Sequence, residues 1–574
     1  MTRFDPATLE ILWRRLIATA DEMATVLVRT SFSTVISAAN DFACELMDAD
    51  GRSLAHATRS MPVFNQTMPH VTRAVLDRYG DEIFPGDVFI TNDPWLNAGH
   101  HPDIAVITPF FRGDRRIGIA ASVAHAADIG GTLDINRARE AYEEGLLIPI
   151  SHLYRQGELQ EVVVDFVREN VRAADAVLGD LHAQVAANHS GAARVLELLD
   201  EYDLVDLTDL ADAIQERSEH AMRAAITRLP DGTYRSRVTF DEFDGPLEIH
   251  CRIDVHGDEL AVDFAGSAPQ QPQGGLNCTF VYTRGQTSYG LKCVLLPDIP
   301  SNAGVYRPIA IEAPEGSILN ARKPVAVQMR TRTGWYIHQA LFAALAEVLP
   351  QQVMAPAGLL SAWIVYGPPT AEAPGFHSWF FNAGGMGAGA HTDGVSTCIY
   401  PSSASTVPVE LFEVAVPMLV REKALITDSG GAGRQRGGLG QRVTLSLLPG
   451  FEGAATVSMW VHGRNFPPFG LHGGQAAQPT RVEVDGVEVR GADGRGRLSG
   501  LIVTDPDTTL TQCTAGGGGF GPPAERNPEQ VLADLRNGYI SAEQAVEVYG
   551  LPKRTHERRG PEQPQPGTSR CLGD

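Results

Sequence analysis

Residues 92–131 read NDPWLNAGHHPDIAVITPFFRGDRRIGIAASVAHAADIGG, and this stretch decides how the chain is read. Two short polar clusters, AGHHPD (98–103) and AHAADIGG (124–131), border two apolar runs, IAVITPF (104–110) and IGIAASVAHA (117–126). The runs have the length and branching of buried strands. The clusters therefore fall at strand ends or on the adjoining loops, where a rigid scaffold commonly presents chemistry. Each cluster pairs a histidine with an aspartate three positions on, His100 with Asp103 and His125 with Asp128. Imidazole nitrogen and carboxylate oxygen in one pocket suit a borderline divalent ion such as Zn²⁺ or Mn²⁺. Such an ion lowers the pKa of bound water to about 7 in favourable sites.

A single histidine is more often structural than a ligand. The second His-x-x-Asp, 25 residues after the first and across a strand-length segment, is what raises the metal reading. Asp41, in AANDF (38–42), is a further carboxylate that would complete a shell of nitrogen and oxygen ligands. Asp128 has three readings: a ligand, a partner for a histidine N–H, or a turn former. The second and third are favoured.

Working outward, residues 5–29 are expected to be a helix, with Asp5 as N-cap and Pro6 at the first helical position. NDFACELMDADGRSLAH (40–56) alternates polar and apolar around a DADG turn and reads as a hairpin. Residues 86–93 read as another strand. The pattern is helical from about 165 to 228, strand-like after LPDG (229–232), helical again over 333–350, and strand- and glycine-rich from about 410. RVEVDGVEVRG (481–491) is a hairpin whose Asp485-Gly486 suits a type I′ turn. NPEQVLADLRNG and SAEQAVEVYG are two short capped helices. The expected class is α+β: a large mixed multi-domain chain with antiparallel β regions and packed helices. The expected divisions are 1–228, an N-terminal α/β region with the metal site; 229–409, a central α+β region; 410–525, β- and glycine-rich; 526–551, short helices; and 552–574, a disordered tail.

The 574 residues and 43% apolar content allow a large core. A net charge of −22 argues against a nucleic-acid binder or electrostatic docking on an anionic membrane. No run of 18 apolar residues occurs, so no membrane span is expected. Seven scattered cysteines without a CxxC pair suggest reduced thiols and a cytoplasmic protein. Cys44 is read as a buried structural thiol.

The glycine-rich stretches TDSGGAGRQRGGLG (427–440) and CTAGGGGFGPP (513–523) fit neither G-x-x-x-x-G-K-S/T nor a strand-GxGxxG-helix context. Tight turns near a ligand site are the favoured reading, with Arg434 and Arg436 as possible anion contacts. NAGGMGAGAHTDG (382–394) is read the same way, with His391 and Asp393 as weaker polar candidates. Serine-hydrolase and HExxH signatures are missing, and no ATP-binding signature is present.

With these residues in hand, the chain resembles the hydantoinase B/oxoprolinase family. The resemblance rests on NDP…GHHPD, AHAADIGG, EEGLLIPI, GDLHAQVAAN, PDIPSNAGVYRPI, DSGGAGRQRGGLG and TAGGGGFGPPAERNPEQVLADLRNGYISAEQA, which run in order from about residue 5 to 550. The family includes one subunit or one half of ATP-dependent hydantoinases, 5-oxoprolinases and related lactamases, and is similar to subunits of acetone and acetophenone carboxylases. The resemblance implies a division of labour. A hydantoinase A-type partner binds ATP and phosphorylates the substrate, and the B-type chain opens the ring at a metal site.

His100 and Asp103 fall on the family's G-x-H-x-P-D, and His101 on a usually apolar position. His125 falls on the first histidine of G-H-H-A-D-I-G-G, whose second is replaced here by Ala126. Asp41 falls in a D-F-S-C-like segment and is carried over as the fourth ligand. The implied set is thus Asp41, His100, Asp103 and His125 for one Zn²⁺ or Mn²⁺, with Asp103 and Asp128 in catalysis and Asp128 orienting a ligand or accepting a proton. The implied assembly is a cytoplasmic heteromer, A₂B₂ in type, acting on a hydantoin, 5-oxoproline or related lactam. The alternatives are an ATP-dependent ketone carboxylase component, a non-catalytic scaffold for the A-type partner, and a stand-alone metal hydrolase.

Overall fold

The two apolar runs of residues 104–126 form neighbouring strands of one antiparallel sheet. The computed structural model describes residues 4–133, 135–242, 245–368, 375–402, 404–489 and 498–552. The sheet contains β1 (Phe42–Asp48), β2 (Ser53–His56), β3 (Val88–Thr91), β4 (Asp103–Arg112), β5 (Arg115–His125), β6 (Ser151–Arg155) and β7 (Glu158–Leu159). Their spatial order is β2-β1-β5-β4-β3-β6-β7. The expected hairpin at 40–56 is β1–β2, and the expected strands are β3, β4 and β5.

All seven residues of β1 are buried, including Glu45. Both faces of the strand are covered. Phe42, Cys44 and Leu46 pack with Leu12, Trp13 and Leu16 of the helix Pro6–Thr30 and with the helix Ala174–Glu201. Ala43 and Met47 face the opposite core, with Phe64 and Met68 of the helix Phe64–Tyr79. That core continues into the strands Gly232–Glu242 and Gly245–His256 and the helix Tyr336–Leu345. The first helix starts where the sequence indicates: the Asp5 carboxylate accepts the N–H groups of Ala7 and Thr8.

Three further sheets follow, of four, four and five strands. They are antiparallel except where Glu259–Asp263 pairs in parallel with Ile309–Glu312. The combination is a mixed α+β fold with helices and antiparallel sheets. At 481–488 the hairpin forms, and Asp485 and Gly486 both adopt positive φ (51° and 74°), as a type I′ turn requires. The helices Pro528–Arg536 and Ala542–Glu547 are present. Residues 553–574, which hold nearly all of the tail expected to be disordered, lie outside the described residues. Among the described residues, no helix is long and apolar enough to cross a membrane.

The glycine runs are not the tight turns expected. Gly384, Gly385, Gly430, Gly431, Gly437, Gly438 and Gly516 to Gly519 are absent from the positive-φ positions. Their segments lie side by side and hydrogen-bond through the backbone: Gly385 N to Ala515 O (3.0 Å), Gly517 N to Gly438 O (2.9 Å), and Gly431 N to Gly517 O (2.8 Å). A Cβ on Gly517 would stand 2.0 Å from the Met386 carbonyl oxygen, and one on Gly438 2.0 Å from that of Val395. Glycine is needed for close approach of backbone to backbone. These N–H groups serve the chain itself and are not displayed to an anion.

Arg436 and Asp393 of the same runs are likewise structural. Arg526 makes two 2.7 Å contacts to Asp393, and it shares Asp534 with Arg436. Gly358, whose N–H donates to Gly385 O (2.7 Å), ties this bundle to Leu360, two residues on, in the wall of the site described next.

Candidate metal centre

The register of the first sheet places three of the expected ligands side by side. Asp103 opens β4 and His125 closes β5, and the two are direct cross-strand partners. On the other side of β5, Phe42 pairs with Ala124, and the His125 N–H donates to the Asp41 carbonyl over 3.1 Å. Asp41, His125 and Asp103 thus occupy one end of three adjacent strands. His100 enters from the loop before β4, following Gly99 at φ 88°. A Cβ at Gly99 would come within 2.9 Å of both Arg330 and Tyr282, so the loop needs glycine there.

His100, Asp103 and His125 each bring a ligand atom within 4.8 Å of the others. Both histidines are oriented by a backbone carbonyl. His100 Nδ1 lies 3.1 Å from Gln328 O, and His125 Nδ1 lies 2.9 Å from Ala126 O. A carbonyl can only accept, so Nδ1 carries the proton and Nε2 keeps its lone pair, the tautomer a metal ligand needs. His100 Nε2 sits 2.9 Å from Asp103 Oδ2. Both His100 Nε2 and Asp103 Oδ1 are buried without a hydrogen-bond partner. Buried polar atoms left this way are uncommon and call for an explanation. A cation between them would satisfy both, so the residues fit the ion the motif implies.

The electrostatics agree. Burial, aided by the Arg330 charge, pushes His100 down to about 3, so the ring is neutral. Burial alone would raise Asp103, but His100 and the Arg330 guanidinium together hold it below the usual carboxylate value. Asp41 is raised, chiefly by burial and further by Asp103, against the opposing effect of His125 and Arg330. Two carboxylates facing one space in this way favour a bound cation.

Arg330 is the residue of this site that sequence reading missed. Its Nη2 donates to Asp103 Oδ2 at 2.7 Å, its Nε donates to Ala98 O at 2.5 Å, and its guanidinium lies 4.6 Å from the Tyr282 ring centroid. Nothing in VAVQMRTRTG (325–334) distinguishes Arg330 from Arg332. Glu144 was also missed, although it lies within EEGLLIPI. Its carboxylate accepts the N–H groups of Val327 and Gln328 (2.9 and 2.8 Å), fixing the segment whose carbonyl orients His100. Burial pushes Glu144 up to about 7.

The four expected ligands line one chamber of about 70 Å³. Apolar and aromatic side chains, Phe64, Trp335, Leu360, Trp379 and Phe381, form another part of its lining. Asp128 is placed apart from this set. Its carboxylate takes the N–H groups of Gly130 (3.0 Å) and Arg172 (2.5 Å) and pairs with the Arg172 side chain (2.7 Å). It lines an outer cavity that shares His125, Gln328 and Trp379 with the chamber. That arrangement matches the turn-forming reading among those open for Asp128. His101 turns away from the chamber, into a separate cavity with Trp95 and Lys323.

Comparison with known proteins gives a consistent result. The profile of the hydantoinase B/oxoprolinase family matches residues 5–523. The putative B component of a D-/L-hydantoinase from Pseudomonas sp. strain NS671 is 30% identical, over 96% of this chain and 96% of that one. The beta component of the caprolactamase of Pseudomonas jessenii is 30% identical over 96% and 97% of the two chains. The crystal structure of the ATP-dependent caprolactamase from that organism superposes with a TM-score of 0.84 at 28% identity, covering 96% of each chain. The nucleotide-free structure of an acetone carboxylase superposes with a TM-score of 0.85 over 95% of this chain and 79% of that one. Its identity is 20%, so it bears on the fold alone.

Proposed function

The chain belongs to the hydantoinase B/oxoprolinase family, and from that premise we propose that it is the metal-bearing B-type component of an ATP-dependent cyclic-amide hydrolase. The observation that carries this reading is the convergence of Asp41, His100, Asp103 and His125 on one chamber, with both histidines held in the ligand tautomer. An A-type partner, in a cytoplasmic heteromer of A₂B₂ type, binds ATP and phosphorylates the carbonyl oxygen of a hydantoin, 5-oxoproline or related lactam. Phosphorylation removes amide resonance and makes the carbon electrophilic. The N–H groups of Gly385, Gly431, Gly437, Gly438, Gly517, Gly518 and Gly519 are turned onto neighbouring backbone carbonyls, which agrees with nucleotide binding on the partner.

A divalent Zn²⁺ or Mn²⁺ ion, when bound, supplies an activated water at neutral pH. The chain's own residues do the rest. His100 stays neutral, and both histidines present Nε2. Arg330 keeps Asp103 ionised and fixed. Asp41 closes the carboxylate side. The aromatic wall excludes bulk water and seats the hydrocarbon part of the ring.

The test is ring opening by the chain purified with its partner. Opening should require ATP, and Asp103→Ala should abolish it while the complex still binds nucleotide. Ring opening by Asp103→Ala at the wild-type rate would remove the site assignment. ATP-dependent fixation of bicarbonate onto a ketone, with no ring opening, would move the chain to the carboxylase reading.

A further inference from the structure

The chamber holds a buried polar atom on Gln286 that the metal reading does not use. Gln286, on the helix Phe280–Leu295, is 2% exposed and lines the chamber with Asp41 and Asp103. Its Nε2 donates to the Tyr282 hydroxyl at 2.8 Å, and its Oε1 has no partner. Leaving a buried carbonyl oxygen unpaired is costly, so such an atom in a ligand chamber points to a donor on the ligand. Gln328, the other chamber glutamine with an unpaired Oε1, stands on the wall shared with the outer cavity and is less buried.

The rest of the lining narrows the ligand further. Among the described lining residues, Arg330 is the one permanent cation, and it is occupied by Asp103, the Ala98 carbonyl and the Tyr282 ring. A carboxylate on the substrate ring would meet Asp41 and Asp103 and find no free protein cation. Phe64, Trp335 and Trp379 also line the chamber. At about 70 Å³ the space suits a compact ring.

We propose that the chamber selects an uncharged secondary cyclic amide with a hydrocarbon ring, and that Gln286 Oε1 accepts its ring N–H. This deepens the reading of the site as one for cyclic amides and rests on it. Gln286 is a positioning residue. By holding the nitrogen side of the amide, it directs the carbonyl toward the metal ligands. The same contact rejects N-alkylated rings, because they leave Oε1 unpaired and crowd it.

The experiment is saturation-transfer NMR on the purified full-length chain with δ-valerolactam, N-methyl-δ-valerolactam and 5-oxoproline as probes. The expected result is that δ-valerolactam binds at least about tenfold more tightly than either of the other two. Gln286→Leu should equalise the parent and N-methyl lactams while still rejecting 5-oxoproline. Equal binding of the N-methyl lactam or of 5-oxoproline to wild type, or no binding of δ-valerolactam, would overturn the proposal. So would a Gln286→Leu chain that still discriminates against N-methyl. The wild-type comparison decides even if the variant does not fold. Opening of 5-oxoproline by the complex would sink this proposal and leave the hydrolase reading intact. N–H-selective binding without ring opening of any cyclic amide would do the reverse.

Discussion

Arg330 and Asp103, 227 residues apart in sequence, form a 2.7 Å ion pair in which both side chains are at most 5% exposed. The pair explains how Asp103 stays ionised in a buried chamber. It also ties the strand-end cluster to a segment with no chemistry legible in its sequence.

Arg330→Ala should therefore act on the site without removing a ligand. Breaking a buried pair by deleting one partner costs about 3–5 kcal/mol, because the other charge is left uncompensated. Loss of a residue that orients a ligand lowers metal affinity by about 10- to 100-fold. Arg330→Lys should fall between, since an ammonium restores charge but not the fork that spans Asp103 and Ala98. Metal titration and urea unfolding of the two variants check both effects. Wild-type affinity in Arg330→Ala would show that the pair does not support the ligand.

Glu45 predicts a pH dependence of stability. It is fully buried in β1, and burial pushes its pKa from 4.5 up to about 8. The folded state thus keeps a proton that the unfolded chain releases near pH 4.5. Its contribution is fully present below the unfolded value and is lost as pH rises toward about 8, at up to about 1.4 kcal/mol per pH unit. Glu45→Gln should flatten this slope between about pH 5 and pH 8, read from urea melts across that range. An unchanged slope would assign the dependence to other groups.

The glycine bundle predicts steep intolerance to the smallest side chain. Gly438→Ala or Gly517→Ala would place a Cβ 2.0 Å from a backbone oxygen. Either should cost about 3 kcal/mol or more in thermal or urea unfolding, at the upper end for overpacking. Gly450→Ala, at a positive-φ turn where a Cβ would meet nothing within 4 Å, should cost about 1 kcal/mol. Equal effects at all three would contradict close packing as the reason for the glycines.

Much of the site was legible in the sequence because it lies at strand ends. Strand-length apolar runs between AGHHPD and AHAADIGG imply that the two clusters return to the same edge, and antiparallel pairing puts Asp103 opposite His125. The first helix, the 481–488 hairpin and the C-terminal helices were legible through caps and turn residues. Arg330, Glu144 and Gln286 were not, because each acts through a contact whose sequence separation carries no periodic signal. The glycine runs misled for a related reason. Composition alone does not separate a glycine needed for a turn from one needed because another backbone passes beside it. In β1, alternation marked a hairpin but not that helices and a second core bury both of its faces, Glu45 included.

The most direct test of the central claim is the metal content of the purified chain, by plasma mass spectrometry, beside His125→Ala and Asp103→Ala. The account predicts about one zinc or manganese ion per wild-type chain and its loss from both variants. A wild-type chain that holds no stoichiometric ion after loading with either metal, or variants that keep it, would contradict the account.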